Sequence, residues 1–358
     1  KVGTKASSLV IGTIAVSIVL AFFVPSSTAR AGTLVPILLG IVAALSMAKN
    51  SKLSALLMIT AVQSISIWNV GIKTAAAQNM VALGFMGEAF GFDITWGKWF
   101  IYAAPWSILM SVVLYFVMTR LIKPEMDDLK DSKALIKSQL KDLGKMSKKE
   151  LKLIVISLLL LFAWATEGML HPFDSTSVTF IAVAIMLLPG IGVYTWKEVE
   201  RKIPWGTLIV FAVGVSMGSV LLSTKGAEWL STNTLEAMGL TDMPIIGIVM
   251  VLSLFNILIH LGFASATSLS SAFIPIVIAL VAGMGTTDFN GPGLVLIQQF
   301  VISFGFLLPV SAPQNMLAYG TGAFSSKDLL KSGIPITLIG YLLIVLFSMT
   351  YWQWVGLL

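Results

Sequence analysis

The 358-residue sequence has no cysteine and only two histidines, His171 and His260. Disulfides and thiolate metal sites are therefore excluded, and two imidazoles are too few for a histidine-based metal cluster. Charge is also scarce. Charged residues make up 11% of the chain and hydrophobic ones 57%, whereas a soluble domain carries about 25% charged residues. Carboxylates thin out further in two long stretches, 9–80 and 245–324, where Asp288 is the one acidic residue. An inorganic-ion or cation/proton antiporter would need buried acids as carriers, so this gap speaks against one. No metal triad, Ser–His pair at workable spacing or carboxylate dyad is present for an enzyme. The net charge of +6 does not point to nucleic acid, because the excess lies in one loop.

Apolar runs close to the roughly 20-residue length that crosses a bilayer fill most of the sequence, and mean hydropathy is +0.92. The expected fold class is an all-α polytopic membrane protein. The most unusual stretch is Pro25-Ser26-Ser27-Thr28-Ala29-Arg30, a polar knot between apolar runs at 9–24 and 31–47. Unpaired backbone groups cost several kcal/mol in hydrocarbon, so such a tip persists only inside protein or beside a water-filled cavity. A second tip, Ser265-Ala266-Thr267, interrupts the apolar stretch 245–282. Thr28 precedes Pro36 by eight positions, and Thr267 precedes Pro275 by eight. Hydropathy alone leaves the first hairpin readable as a re-entrant loop or as two full spans.

After the first hairpin, residues 53–72 read as a helix with Gln63, Ser66, Asn69 and Lys73 on one face, since their spacing follows the helical period. A polar interruption at 74–79 and a short apolar continuation at 80–90 follow. Trp96 to Trp99 reads as an interfacial piece ahead of a span at 101–121. Residues 153–170, 178–193 and 206–222 are further spans, and 227–238 a surface helix. Near them, Glu167 and His171 read as an interfacial pair. Residues 291–308 are expected to form a helix carrying Gln298, Gln299 and Ser303, broken at Ser311-Ala312-Pro313-Gln314-Asn315 by its proline. A continuation at 316–324, a polar turn at 325–331 and a last span at 334–354 complete the chain.

Residues 120–152 hold ten Lys or Arg against six Asp or Glu and read as an amphipathic cytoplasmic linker. Counting spans from that loop puts the basic clusters at 48–52, 197–202 and 327–331 on the same side and the uncharged C-terminus outside, as the positive-inside rule requires. This places the protein in the plasma (inner) membrane with 122–152 cytoplasmic.

The order hairpin, broken helix, span occurs at 9–121 and again at 245–354. Both breaks share Gln-Asn-Met, at Gln78-Asn79-Met80 and Gln314-Asn315-Met316. Thr28 lies 51 positions before Asn79, and Thr267 lies 48 before Asn315. Five crossings separate the hairpins, so the copies have opposite orientation. Inverted repeats with broken helices at the midplane are the architecture of secondary transporters. Half-helix N-termini carry partial positive charge, and their free amides can grip the oxygens of an anion.

The tips Ser26-Ser27-Thr28-Ala29 and Ser265-Ala266-Thr267 resemble the paired Ser-Asn-Thr hairpin tips of the divalent anion:sodium symporter (DASS) family. Ser311-Ala312-Pro313-Gln314-Asn315 followed by Tyr319-Gly320-Thr321-Gly322 is similar to that family's second broken helix. Ser27 to Gly32 with Thr74 to Asn79 is closest to the 2-oxoglutarate/malate translocator branch. The resemblance implies a transporter of di- or tricarboxylates that works as a homodimeric elevator. It implies substrate binding by Ser26, Ser27, Thr28, Gln78, Asn79, Ser265, Ala266, Thr267, Ser311, Pro313, Gln314 and Asn315. Residues 1–121 and 241–358 would form the two repeats of the transport domain, joined by the linker 122–152 and the scaffold spans 153–240. An inverted counterpart of 153–240, on the order of a hundred residues, is expected ahead of residue 1 by the symmetry of such repeats. Two departures stand out: the middle Asn of each tip is replaced here by Ser27 and Ala266, while Arg30, Lys73 and His260 lie beside the tips or breaks. A fixed cation can offset a dianion as a bound sodium does, so exchange without sodium is expected. In the alternative of a sodium-coupled symporter, the ion would sit near Thr28, Asn79, Thr267 and Asn315. No other cofactor is implied.

Overall fold

The computed structural model describes residues 5–125, 141, 144–203, 205–240, 243–284 and 289–358. Most of the linker expected at 122–152, and the turn holding Asp288, lie outside the described residues. Secondary structure among the described residues is helical, apart from an isolated bridge between Glu167 and His171.

The first hairpin pairs α1 (Ala6–Phe23) with α2 (Ser27–Ala44). Pro25 cannot continue α1, and Ser26 caps α2 by accepting from the Ala29 amide at 3.2 Å. Both arms pack on α3 (Lys52–Gly71). Every residue of α3 from Leu53 to Gly71 is buried, so this helix is the axis of the first half. A 3₁₀ turn, Lys73–Ala75, separates it from α4 (Ala77–Phe90), which ends on Gly91 at φ 62°, a left-handed cap that glycine adopts without strain. α5 (Trp96–Leu121) follows.

Trp96 and Trp99, expected to form an interfacial piece, do not present their rings to the outside of the protein. Both start α5 inside the protein, where Trp99 donates to Val70 O at 2.9 Å. An indole N–H with an internal carbonyl partner gains nothing from the bilayer boundary.

α6 (Lys148–Ala165), α7 (Ser175–Leu187), α8 (Trp205–Ser223) and α9 (Gly226–Thr234) form the middle of the chain. α6 opens with a capping box between Ser147 and Glu150. α8 and α9 pack on the helix Ala266–Met284 of the second half.

The second hairpin pairs α10 (Ile245–His260) with α11 (Ala266–Met284). α12 (Gly291–Val301) is shorter than the sequence pattern suggests, ending seven residues before Leu308. Ile302 to Leu308 is irregular, and a 3₁₀ turn, Pro309–Ser311, precedes α13 (Pro313–Tyr319). The carbonyls released by this unwinding accept side-chain donors, Asn315 onto Gly305 O and Gln63 onto Phe306 O. Internal donors of this kind make an irregular segment tolerable in a membrane protein. α14 (Ser326–Met349) starts within the expected turn at 325–331, ahead of the expected span, because Ser325 and Asp328 form a capping box. Gly333 lets α14 approach the unwound chain, since a Cβ there would lie 2.2 Å from Phe306 O.

Among the described residues six helical segments are long and apolar enough to cross a membrane: α1, α2, α3, α5, α11 and the stretch Ser326–Trp354. The chain is an integral, multi-pass membrane protein.

Candidate functional site

Four helix beginnings meet around one cavity of about 760 Å³. α2 contributes Ser26, Ser27 and Thr28, and α11 contributes Ser265, Ala266 and Thr267. α4 contributes Ala77 and Gln78, and α13 contributes Pro313 and Gln314. The first turn of a helix leaves amides without internal partners. Ser26 and Ser265 each cap one such amide, whereas Ala76 and Ala312, at the starts of α4 and α13, offer no side-chain cap. The partial positive ends of the three longer helices, α2, α4 and α11, thus face the cavity with donors to spare.

Among the described residues the lining carries hydroxyls, amides and the imidazole of His260, and no carboxylate. Thr28 and Thr267 are its least committed donors. Threonines within helices here bond back to the carbonyl four residues earlier, as Thr13, Thr33 and Thr60 do. Thr28 and Thr267 stand in the first turn of their helices, and among the described residues neither hydroxyl has a partner.

Under the lining, the two breaks are built alike. Ala76 and Ala312 have nearly the same extended backbone, at φ −146° and ψ 141° against φ −151° and ψ 139°. Gln78 reaches Ser303 at 3.5 Å, and Gln314 reaches Ser66 at 3.0 Å, so each break bonds to the other half. Gln299 adds a link by donating to Asn79 Oδ1 at 3.1 Å and accepting from Ser270 at 2.9 Å.

Three of the sequence-predicted binding residues lie behind the cavity wall. Asn79, Asn315 and Ser311 are buried and do not line it; the two amides tie up the carbonyls of the broken helices, and Ser311 O accepts from His260 Nε2 at 3.1 Å.

The three residues expected to supply positive charge divide. His260 lines the cavity. Arg30 is fully buried behind it, donating to Ala75 O at 2.9 Å, to Asn69 Oδ1 and, at 3.5 Å, to Ser27 Oγ. Lys73 is not part of the site. α3 ends at Gly71, so the chain leaves the polar face before Lys73, whose ammonium donates to Ile94 O at 2.7 Å and lies 3.6 Å from Glu167. Glu167 is therefore not paired with His171, as its spacing suggested. Its carboxylate accepts from the amides of Trp96 and Ser175 at 2.7 and 2.9 Å, while His171 bonds Ala163 O.

Asn69, Ser303 and Gly305 line the cavity without having been singled out as binding residues. The helical stripe containing Asn69 was the available signal. Ser303 and Gly305 are exposed to the cavity only because α12 unwinds, which the hydrophobic run around them hides.

A model of the sodium:sulfate symporter transmembrane region matches residues 1–358. A membrane protein of Cupriavidus necator is 47% identical over 355 residues, covering 99% of this chain and 69% of the relative. A sodium-dependent dicarboxylate transporter of Staphylococcus saprophyticus is 26% identical over 369 residues, 96% of this chain and 69% of the relative. A citrate/succinate antiporter of Escherichia coli is also 26% identical, over 338 residues, 92% of this chain and 68% of the relative.

Proposed function

Because the chain belongs to the sodium:sulfate symporter transmembrane (DASS) family, we propose that it carries a small di- or tricarboxylate through the cavity between its two hairpin tips. Membership makes it a membrane transporter and not an enzyme. The observation that carries the substrate class is the donor set unsatisfied among the described residues: two free threonine hydroxyls and uncapped helix N-termini in a cavity where no described residue supplies a carboxylate. Such a site favours an anion with oxygens at both ends, one gripped by each tip. Relatives named for dicarboxylate and citrate/succinate transport support the same class.

The mode of transport proposed is sodium-independent exchange by an elevator movement of residues 1–121 and 241–358 against 153–240, within a homodimer. Arg30 supports the sodium-independent part. Its guanidinium already takes Ala75 O and Asn69 Oδ1, the oxygens that a cation bridging the first tip and first break would use. The relatives do not favour either mode, since the sodium-dependent one and the antiporter are equally similar at 26%.

Counterflow in proteoliposomes tests both parts. Uptake of labelled succinate, malate, 2-oxoglutarate or citrate should require an internal dicarboxylate and be indifferent to replacing sodium by choline. Arg30→Gln should acquire a sodium requirement, with sodium raising its Tm and leaving that of the wild type unchanged. Strict sodium dependence of the wild type would refute the exchange reading, and absence of any carboxylate flux would refute the substrate class.

A further inference from the structure

α5 and α14 run antiparallel along a seam whose groove shares no lining residue with the transport cavity. Trp352 Nε1 donates to Tyr102 O at 2.8 Å and Trp106 Nε1 to Gly340 O at 3.3 Å, which sets their register. Beside this seam lies a second hollow, a groove of about 520 Å³ with aliphatic walls that include Val113 and Val117 of α5 and Ile339 of α14. Arg120 and Lys331 close one end of it.

Among the described residues the charge at that end has no carboxylate partner. Glu125 is held by the amides of Lys52 and Leu53 at 2.7 and 3.2 Å, and Asp328 by the amide and hydroxyl of Ser325 at 2.9 and 2.6 Å. Both neighbouring carboxylates therefore serve helix N-termini. Among the described residues neither Arg120 nor Lys331 has a carboxylate within salt-bridge distance, and Arg120 rests on the Phe116 ring at 5.4 Å.

We propose that this groove seats one anionic phospholipid, its phosphate between Arg120 and Lys331 and an acyl chain along the aliphatic walls. A soluble anion would have no use for the walls, and a neutral lipid none for the two cations. From Arg120 back to Val112, the far end of the groove on α5, is eight residues, about 12 Å of helix. One leaflet's share of the hydrocarbon core is roughly 15 Å, so the groove matches an acyl chain in depth. Basic pockets between membrane helices bind anionic headgroups in this way. Because α5 follows the first break and α14 the second, the lipid would clamp the two repeats together, whatever anion the cavity carries.

Native mass spectrometry of the full-length protein, with dioleoylphosphatidylglycerol or dioleoylphosphatidylcholine added in detergent, tests this. The wild type should keep one phosphatidylglycerol per protomer under conditions that strip phosphatidylcholine. Arg120→Gln/Lys331→Gln should bind it roughly thirtyfold less well, from the usual contribution of two interfacial cations. Ile339→Trp, which fills the groove and leaves the charges, should also lose the adduct. Lys123→Gln/Lys327→Gln removes two charges at the same end of the helices but outside the groove, and should behave as wild type. Equal loss in both glutamine pairs would reduce the effect to diffuse attraction and overturn the proposal, as would equal retention of phosphatidylcholine. A Val113→Cys variant that cross-links two copies would also overturn it, by putting protein where the lipid should lie.

Discussion

Asn79 and Asn315 make the same pair of bonds in the two halves of the protein. Asn79 Nδ2 donates to Asn69 O at 2.8 Å and Ile72 O at 3.3 Å, ten and seven residues upstream; Asn315 Nδ2 donates to Gly305 O at 2.7 Å and Leu308 O at 3.2 Å, at the same two offsets. Each amide replaces the helical amides that the break removes. The shared Gln-Asn-Met thus encodes a way of breaking a helix without leaving orphaned carbonyls.

Alanine at either position should therefore destabilise the ligand-free protein, since both side chains are buried and their acceptors have no water to turn to. A buried acceptor left unsatisfied costs about 1–3 kcal/mol. Asn79→Ala should be the worse, because Asn79 also accepts from Gln299. Aspartate at either site lacks the donor and should be worse than alanine. Thermal unfolding in detergent without substrate reads these differences; an unchanged Tm with impaired transport would return both residues to direct substrate contact.

Lys73 and Glu167 form a buried pair with unequal support. Glu167 accepts from two backbone amides and the Ser175 hydroxyl besides Lys73, whereas among the described residues Lys73 has only Ile94 O in addition. Breaking a buried pair from one side typically costs about 3–5 kcal/mol. Lys73→Met should fall at or below the low end, because the helix N-termini still satisfy the carboxylate. Glu167→Gln should cost more, leaving a buried ammonium and a misplaced amide N–H. A double-mutant cycle on apparent Tm should show the losses to be less than additive.

The acid limb of stability should depend on Glu125. Burial raises its carboxyl pKa, but the Lys52 and Leu53 amides with the nearby Lys52 charge outweigh that and hold it below the ordinary carboxylate value. A group depressed in the folded state contributes above its unfolded pKa, and the contribution disappears as pH falls through the folded one. Between about pH 5 and pH 3 the wild type should lose Tm more steeply than Glu125→Gln, the two curves converging at the acid end. Parallel curves would assign the cap no electrostatic role.

Much of this organisation is legible in the sequence because a polar tip inside an apolar run has few physical excuses. Both tips, both breaks and the order of elements follow from that, and the cavity does bring Thr28 and Thr267 together. What the sequence hides is direction and depth. Lys73 continues the spacing of Gln63, Ser66 and Asn69, yet the helix ends two residues before it. Trp96 and Trp99 read as boundary residues, and nothing in the sequence hints that their indoles have internal partners. The unwinding after Val301 lies in a run as hydrophobic as any helix, and only the acceptors needed by Gln63 and Asn315 explain it.

Thr28 and Thr267 offer the cleanest separation of binding from folding. Their hydroxyls face the cavity and have no partner among the described residues, so isosteric valine removes a ligand contact and leaves no internal acceptor unpaired. Thr28→Val and Thr267→Val should unfold within about a degree of wild type without ligand, as substitutions away from core, cap and network features usually do. A hydrogen bond to a carboxylate is worth about 1.5–3 kcal/mol, so each variant should bind dicarboxylate roughly ten- to hundredfold more weakly, visible as a lost thermal shift. If the anion spans both tips, the double variant should lose close to the sum of the two, because the sites are separate ends of one ligand and share no side chain. A full shift surviving in either single variant would mean that the tip in question does not touch the transported anion.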